Sequence, residues 1–260
     1  MKKNGLSPIL IIIAAAFLVV LGLVVFRQIP LKGPEKELTP SEVSPPGTPE
    51  KRLVALGSSL SRASNLFSEM QGENNDYSFS TGTKIDSIYN YLKAKEKNIT
   101  ATNLASPGAD MQDILERQLP EARRLNPQYI TIDPASDLVS KNSIPDYKKD
   151  LNQILDKINP ETLVMIFTYP NFLSLRSANY PSCRENKVGV KLENLSEKNI
   201  LLFNQTIRDV IGNRKNVILI DIYNLLGPEE VSDYDCLHIN LEAQKKIAAE
   251  FTTALDSQRR

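Results

Sequence analysis

The stretch Leu53–Leu60 reads LVALGSSL and decides the fold of this chain. An uncharged run of four apolar residues is typical of a strand that is buried on both faces, and the glycine and two serines end it abruptly. In α/β proteins ligands bind at the carboxyl ends of such strands. Ser58 and Ser59 therefore lie where an α/β protein is expected to carry a site.

Further apolar runs alternate with segments whose apolar residues recur at helical spacing. The predicted strands are Arg52–Leu56, Ile99–Leu104, Gln128–Ile132, Leu163–Thr168 and Val217–Ile222. The predicted helices are Lys84–Lys97, Met111–Leu125, Asp146–Ile158, Glu193–Ile211 and Leu241–Leu255, the last beginning after Asn240 as its N-cap. This alternation predicts a three-layer α/β/α sandwich around a mainly parallel five-stranded sheet.

The N-terminal end of the chain has a different character. Pro8–Phe26 carries no charge, and its length of about 19 residues is enough for a helix to cross a bilayer. Lys2 and Lys3 favour a cytoplasmic N-terminus, although Arg27 and Lys32 weaken this bias. A cleaved signal peptide is the alternative, but the end of the run, Val24–Arg27, offers no small-residue cleavage site. We therefore predict an uncleaved transmembrane signal anchor over residues 1–27.

Residues 28–51 are polar and rich in proline, so they bury too little apolar surface to fold and form a linker. Residues 52–260 then form one domain of ordinary size, which the anchor holds outside the cytoplasm. The chain has 31 basic and 31 acidic side chains, and this balance argues against nucleic-acid binding. The oligomeric state is not readable from the sequence.

The single histidine of the chain, His238, ends the segment Asp235-Cys236-Leu237-His238. A serine hydroxyl is a weak nucleophile that needs an adjacent base, and a third group must orient that base. Ser59 follows the first predicted strand, and Asp235 and His238 follow the last, so a parallel sheet brings all three to one rim. Each motif alone has a plainer explanation, a helix N-cap for the serines and a solvated surface pair for the acid and the histidine.

Four segments together resemble the sequence blocks of the GDSL/SGNH hydrolase family. They are Gly57–Leu60, Asn103–Ala109, Ile132–Leu138 and Asp235–His238, in the family's order along the chain. The resemblance implies the flavodoxin-like SGNH fold and ester hydrolysis by a triad of Ser59, His238 and Asp235. It also implies an oxyanion hole formed by Ser59, Gly108 and Ser136, and it implies no metal and no cofactor.

Two of these blocks depart from the family pattern. Ser58 stands where the family has an aspartate outside the triad, so we expect this change to matter little. Ser136 stands where the family has the asparagine of the oxyanion hole, and Pro134 replaces the glycine of the same block. A serine hydroxyl donates one hydrogen bond but is shorter than an asparagine amide and can rotate away. The departures predict a weakened oxyanion hole.

The chain has two cysteines, Cys183 and Cys236. Disulfides persist outside the cytoplasm, and a bond between these two would tie the irregular segment Pro170–Gly189 beside Asp235. Two free thiols are the alternative.

The sequence thus predicts a membrane-anchored, extracytoplasmic serine hydrolase that cleaves acyl or acetyl esters of a lipid or a cell-envelope carbohydrate. The alternative is a catalytically weak or inactive SGNH-fold domain that binds envelope glycan or lipid. A membrane-tethered structural spacer is disfavoured, because that role needs no serine, aspartate and histidine in these positions. No segment decides which ester is the substrate.

Overall fold

A five-stranded parallel sheet forms the centre of the computed structural model, which describes residues 50–67, 72–96, 98–140, 143–171, 196–232, 234–235 and 238–258. The strands are β1 (Lys51–Leu56), β2 (Ile99–Asn103), β3 (Tyr129–Ile132), β4 (Leu163–Phe167) and β5 (Val217–Ile220). Their order in the sheet is β2-β1-β3-β4-β5, and all neighbours are parallel. The five predicted strands are confirmed, with ends that differ by one or two residues.

Helices connect the strands and form the layers on either side of the sheet. They are α1 (Ile88–Lys95), α2 (Met111–Asp113), α3 (Leu119–Leu125), α4 (Asp137–Ser140), α5 (Ile144–Lys157), α6 (Glu197–Ile211) and α7 (Leu241–Gln258). Helix α1 packs against α7, whereas α5 packs against α2 and α6. The predicted three-layer α/β/α architecture is therefore confirmed.

One predicted helix is interrupted. The segment predicted as one helix over Met111–Leu125 is α2, a π-helical segment Ile114–Gln118, and α3. Pro120 lies in the first turn of α3, and proline has no N–H with which to continue the regular helical hydrogen bonds. The wider π turn accommodates this loss and brings Gln118 to a buried position beside β1.

Side-chain caps fix two of the helix starts. The Ser87 hydroxyl accepts the N–H of Asn90 at 3.2 Å, so α1 begins four residues later than predicted. Asn240 caps α7 as predicted, because its Oδ1 accepts the N–H groups of Glu242 and Ala243 at 3.1 and 3.2 Å.

The core lies on both faces of β1, which is flanked by β2 and β3. Leu53, Val54 and Leu56 are fully buried, as an uncharged run at the centre of a parallel sheet requires. On one side Phe79 packs edge-on against Phe167, with ring centroids 5.3 Å apart. This contact fixes the segment after the Ser59 turn against β4.

Several predictions fall on residues outside those that the structure describes. They are the anchor over residues 1–27, most of the linker, and the pair Cys183 and Cys236. Lys51, the last residue assigned to the linker, is the first residue of β1. In the part of the chain that is described, no helix is both long enough and apolar enough to span a membrane. The anchor, the linker and the disulfide stay predictions.

Candidate active site

The turn after β1 places Ser59 at the carboxyl edge of the sheet. Gly57 follows the strand with φ +132°, a backbone conformation that residues with a side chain rarely adopt. The buried side chain of Gln118 holds Gly57 from both sides. Its Oε1 accepts the Gly57 N–H at 2.8 Å, and its Nε2 donates to the Gly57 carbonyl at 2.9 Å. The strand therefore ends at a fixed point just before Ser59.

A buried carboxylate from the residue directly after β3 organises the same turn. The Oδ2 atom of Asp133 accepts the N–H groups of Ser58 and Ser61 at 2.8 and 2.9 Å, and its Oδ1 accepts the Ala135 N–H at 2.8 Å. The Ser58 hydroxyl also donates to Oδ1 at 3.2 Å. Burial raises the pKa of the Asp133 carboxyl, and the three N–H donors oppose that rise by stabilising the charged form. Asp133 thus ties the Ser59 turn to the loop after β3.

Tyr169, at the end of β4, supports the loop after β3 from the other side. Its hydroxyl donates to the Pro134 carbonyl and lies 3.1 Å from the Ala135 carbonyl oxygen. Burial raises the pKa of Tyr169 well above its usual value, so the hydroxyl keeps its proton and stays a donor. Ala135 has φ +62°, so this loop needs such support to hold a strained residue.

Ser136 joins the second and third sequence blocks. Its N–H donates to the Ala109 carbonyl at 2.9 Å, and its Oγ lies 2.7 Å from the carbonyl oxygens of both Gly108 and Ala109. A hydroxyl has one proton, so in this arrangement the proton points at a backbone carbonyl. To donate to a substrate, as predicted for an oxyanion hole, the Ser136 hydroxyl must first rotate away from these carbonyls.

Among the described residues, the backbone N–H groups of Ser59 and Gly108 have no hydrogen-bond acceptor. Gly108 has φ +78°, and an added Cβ would meet no atom within 4 Å, so the backbone is open to approach on that side. Both N–H groups are available to a bound oxygen atom.

Asp235 and His238 form a close pair in the segment between β5 and α7. The Nδ1 atom of His238 lies 2.5 Å from Asp235 Oδ2, and the His238 backbone N–H donates to Oδ1 at 2.9 Å. The carboxylate is almost fully buried, with 3% of its side chain exposed, whereas 16% of the imidazole is exposed. A proton on Nδ1 completes this hydrogen bond and leaves Nε2 unprotonated, as a general base requires.

Ser59 and His238 line the same small cavity, whose volume is about 50 Å³. The other residues around it are largely apolar: Ser58, Leu60, Ala135, Ser136, Leu138, Val139 and Tyr169. The structure has no hydrogen bond between the Ser59 hydroxyl and His238, and such catalytic contacts are often long before substrate binds. Two larger hollows, of about 390 and 830 Å³, are lined by residues outside the four sequence blocks.

A family model described as GDSL-like lipase/acylhydrolase matches residues 53–251, which is most of the chain. The chain belongs to this family. It is a serine ester hydrolase, as the resemblance of the four blocks predicted. No curated protein matches the GDSL chain in sequence.

Solved structures of esterases share the fold of this GDSL domain. The psychrotrophic esterase EstA from Pseudoalteromonas sp. has 14% sequence identity and a TM-score of 0.55, with 80% of this chain and 98% of that chain covered. The lipase/acylhydrolase from Enterococcus faecalis has 15% identity and a TM-score of 0.56, with 80% and 96% covered. The acetylxylan esterase Axe2 from Geobacillus stearothermophilus has 13% identity and a TM-score of 0.53, with 78% and 93% covered.

The GDSL domain contains supporting residues that the sequence analysis did not identify. Asp133 and Gln118 hold the Ser59 turn, and Tyr169 holds the loop that leads to Ser136. Asn65 donates to Asp235, across 170 positions of the sequence. An acid inside the third block could have signalled Asp133. The other three gave no local signal, because their roles depend on contacts between distant segments.

Proposed function

We propose that this hydrolase cleaves esters through a triad in which Ser59 is the nucleophile, His238 the general base and Asp235 the residue that orients the base. The observation that carries the proposal is the buried Asp235–His238 pair, whose imidazole opens onto the cavity that Ser59 lines. His238 is also the only histidine in the sequence, so no other imidazole is available for this role.

In the proposed reaction, Ser59 Oγ attacks the ester carbonyl while His238 Nε2 takes its proton. The carbonyl oxygen becomes an oxyanion, and the N–H groups of Ser59 and Gly108 receive it. His238 then returns the proton to the departing alcohol, which leaves an acyl group on Ser59. A water molecule, deprotonated by the same imidazole, attacks the acyl-enzyme, and His238 returns that proton to Ser59 Oγ as the acid is released.

The lining of the cavity supports an acyl group as the part of the substrate that enters it, because Leu60, Leu138 and Val139 supply an apolar wall. An acetyl ester of a carbohydrate is the substrate class that we propose. The shared fold with an acetylxylan esterase is consistent with this choice.

We further propose that the domain acts outside the cytoplasm, at a membrane surface. The support is the uncharged run Pro8–Phe26 behind Lys2 and Lys3, followed by the proline-rich linker. Protease treatment of intact cells and of lysed cells tests this proposal. The domain should be cleaved in both, and protection in intact cells would place it on the other side of the membrane.

A fluorophosphonate probe that reacts with activated serines tests the triad. It should label the wild type at Ser59 and fail to label Ser59→Ala and His238→Ala. Ser64→Ala is the matched control, because Ser64 lies in the same turn and its hydroxyl has no partner in the described structure. Labelling should survive in that variant. Equal labelling of Ser59→Ala would refute the assignment.

Hydrolysis of p-nitrophenyl esters of increasing acyl length tests the substrate class. The specificity constant should be highest for acetate and fall steeply beyond butyrate. Val139→Ala shortens a side chain in the cavity wall and so widens the cavity. It should shift the preference toward longer acyl chains without improving acetate hydrolysis. A wild type that prefers octanoate or longer esters would refute the short-acyl proposal. A wild type that hydrolyses none of them would instead favour a domain that only binds its ligand.

A further inference from the structure

We infer that Asn65 is a positioning residue, which fixes the Asp235 carboxylate so that His238 keeps its catalytic orientation. The inference rests on the triad proposed above. The Asn65 Nδ2 atom donates to Asp235 Oδ2 at 2.7 Å. That same oxygen lies 2.5 Å from His238 Nδ1, so it accepts from both side chains. Asn65 is the residue of the Ser59 turn that reaches across to the Asp–His pair.

The amide of Asn65 is held in one orientation. Its Oδ1 accepts the Gly72 N–H at 3.0 Å, which directs the Nδ2 group to Asp235. The Asn65 backbone N–H donates to the Gly72 carbonyl at 2.8 Å, and the Ser232 hydroxyl donates to the Asn65 carbonyl. Asn65 has φ +51°, a left-handed conformation that asparagine tolerates better than most residues. The donor therefore approaches the carboxylate from a fixed backbone.

Three hydrogen bonds orient the Asp235 carboxylate toward His238. Oδ1 accepts the His238 backbone N–H, and Oδ2 accepts from Asn65 and from the imidazole. Without the Asn65 donor, Oδ2 loses the hydrogen bond that holds it from the side of the Ser59 turn, and it is then less well fixed on the line to Nδ1. A base whose orienting group is mobile spends less time with Nε2 directed at the nucleophile.

Among the described residues near Asn65 and Asp235, two pairs of opposite charges lie on the surrounding elements. Arg62 lies 3.5 Å from Glu73 near the Ser59 turn, and Lys246 of α7 lies 2.7 Å from Glu230. A new charge at position 65 would act directly on the Asp235–His238 pair, because Asn65 Nδ2 lies 2.7 Å from Asp235 Oδ2 and 3.5 Å from His238 Nδ1. A pH readout therefore tests the contact, and a fall in kcat at constant KM tests the positioning role.

Two variants of the full chain, held in detergent micelles, test the inference. Asn65→Gly keeps the left-handed backbone accessible but removes the amide, and we expect kcat for p-nitrophenyl acetate to fall about 10–100-fold with KM nearly unchanged. Asn65→Asp keeps the shape but places a carboxylate next to Asp235. It should favour the protonated imidazole and move the acidic limb of the kcat/KM profile upward by about one pH unit or more.

The single histidine makes a second readout independent of activity. With ¹⁵N-labelled histidine and a tag without histidines, the NMR titration contains one imidazole, His238. Its midpoint should move upward in Asn65→Asp and stay in place in Asn74→Ala. Asn74 is a suitable control, because its amide donates to the Gly72 carbonyl at 3.3 Å and not to Asp235.

The two proposals fail in different ways. If Asn65→Gly is folded by circular dichroism and keeps kcat within about twofold of the wild type, Asn65 positions nothing that the reaction needs. An unmoved His238 titration in Asn65→Asp also overturns the inference, and this measurement decides if Asn65→Gly does not fold. If the wild type hydrolyses no ester but the titration moves as expected, the triad proposal fails while the Asn65–Asp235–His238 network stands.

Discussion

Replacing Gly57 with alanine should destabilise the domain, because the new methyl group would collide with Asp133. The added Cβ would lie 2.3 Å from the Asp133 Cγ and 2.4 Å from its Oδ2, and Cβ atoms in real proteins essentially never come closer than 3.0 Å. To reach a tolerable contact, the carboxyl group must retreat by roughly 0.7–1.1 Å. The dense packing around β1 leaves little room for that movement.

The retreat takes Oδ2 out of reach of the Ser58 and Ser61 N–H groups, which it now accepts at 2.8 and 2.9 Å. Two hydrogen bonds to a charged group contribute about 3–6 kcal/mol together. An alanine at φ +132° adds strain of about 1–3 kcal/mol. We therefore expect the free energy of unfolding to fall by about 4 kcal/mol or more, which is a large share of the stability of a typical domain.

Urea unfolding followed by circular dichroism measures this loss, and Gly72→Ala is the matched control. Gly72 has φ +122°, but an added Cβ there meets nothing within 4 Å. It should cost only the strain of about 1–3 kcal/mol. In an Asp133→Ala background the collision is absent, so Gly57→Ala should cost at least about 2 kcal/mol less than in the wild type. A loss no larger than that of Gly72→Ala, or strictly additive effects, would refute the reasoning.

Three further sets of substitutions test the site and the loop that supports it. Ser59→Ala and His238→Ala should each abolish hydrolysis of p-nitrophenyl acetate and leave the thermal midpoint nearly unchanged, while Asp235→Ala should keep slightly more activity; wild-type turnover in His238→Ala would exclude the triad. Ser136→Ala should lower kcat, but by less than the ~10²–10³-fold lost when a full oxyanion-hole donor is removed. Ser136→Asn should raise kcat at constant KM. An unchanged kcat in Ser136→Ala would mean that the hydroxyl only bonds the backbone. Tyr169→Phe should lower the free energy of unfolding by about 1–2 kcal/mol in urea titrations, because it removes the hydrogen bond to the loop after β3; an unaltered value would show that this bond contributes nothing net.

The sequence predicted the fold well because burial on both faces leaves a strong pattern. A strand of a parallel sheet needs an unbroken apolar run, so all five strands were recognisable, and their alternation with helices predicted the layers. The interrupted helix was missed because helical spacing persists through a π turn. Pro120 could have indicated the interruption, but the prediction was made from the spacing of apolar residues alone.

Only the site residues that lie in short sequence motifs were predicted. Asp235 and His238 lie three positions apart, so their contact follows from local geometry and could be predicted together with Ser59 at the same rim. The contact of Asn65 with Asp235 depends on how a turn near the first strand meets a loop near the last helix. The direction of the Ser136 hydroxyl likewise depends on carbonyl groups of a different loop. Neither the Asn65–Asp235 contact nor the direction of the Ser136 hydroxyl can be predicted from a single sequence.

The carboxylate beside residue 58 has a consequence for how the first sequence block is read. The family pattern has an aspartate at that position, and this chain has Ser58, with the carboxylate of Asp133 arriving from the neighbouring strand. In this chain, the acidic group at the turn is therefore supplied by the residue after β3 and not by position 58. Restoring aspartate at position 58 alone would crowd two negative charges into one buried pocket. A double substitution, with aspartate placed at position 58 and a neutral residue at position 133, would restore the family's first block without this repulsion.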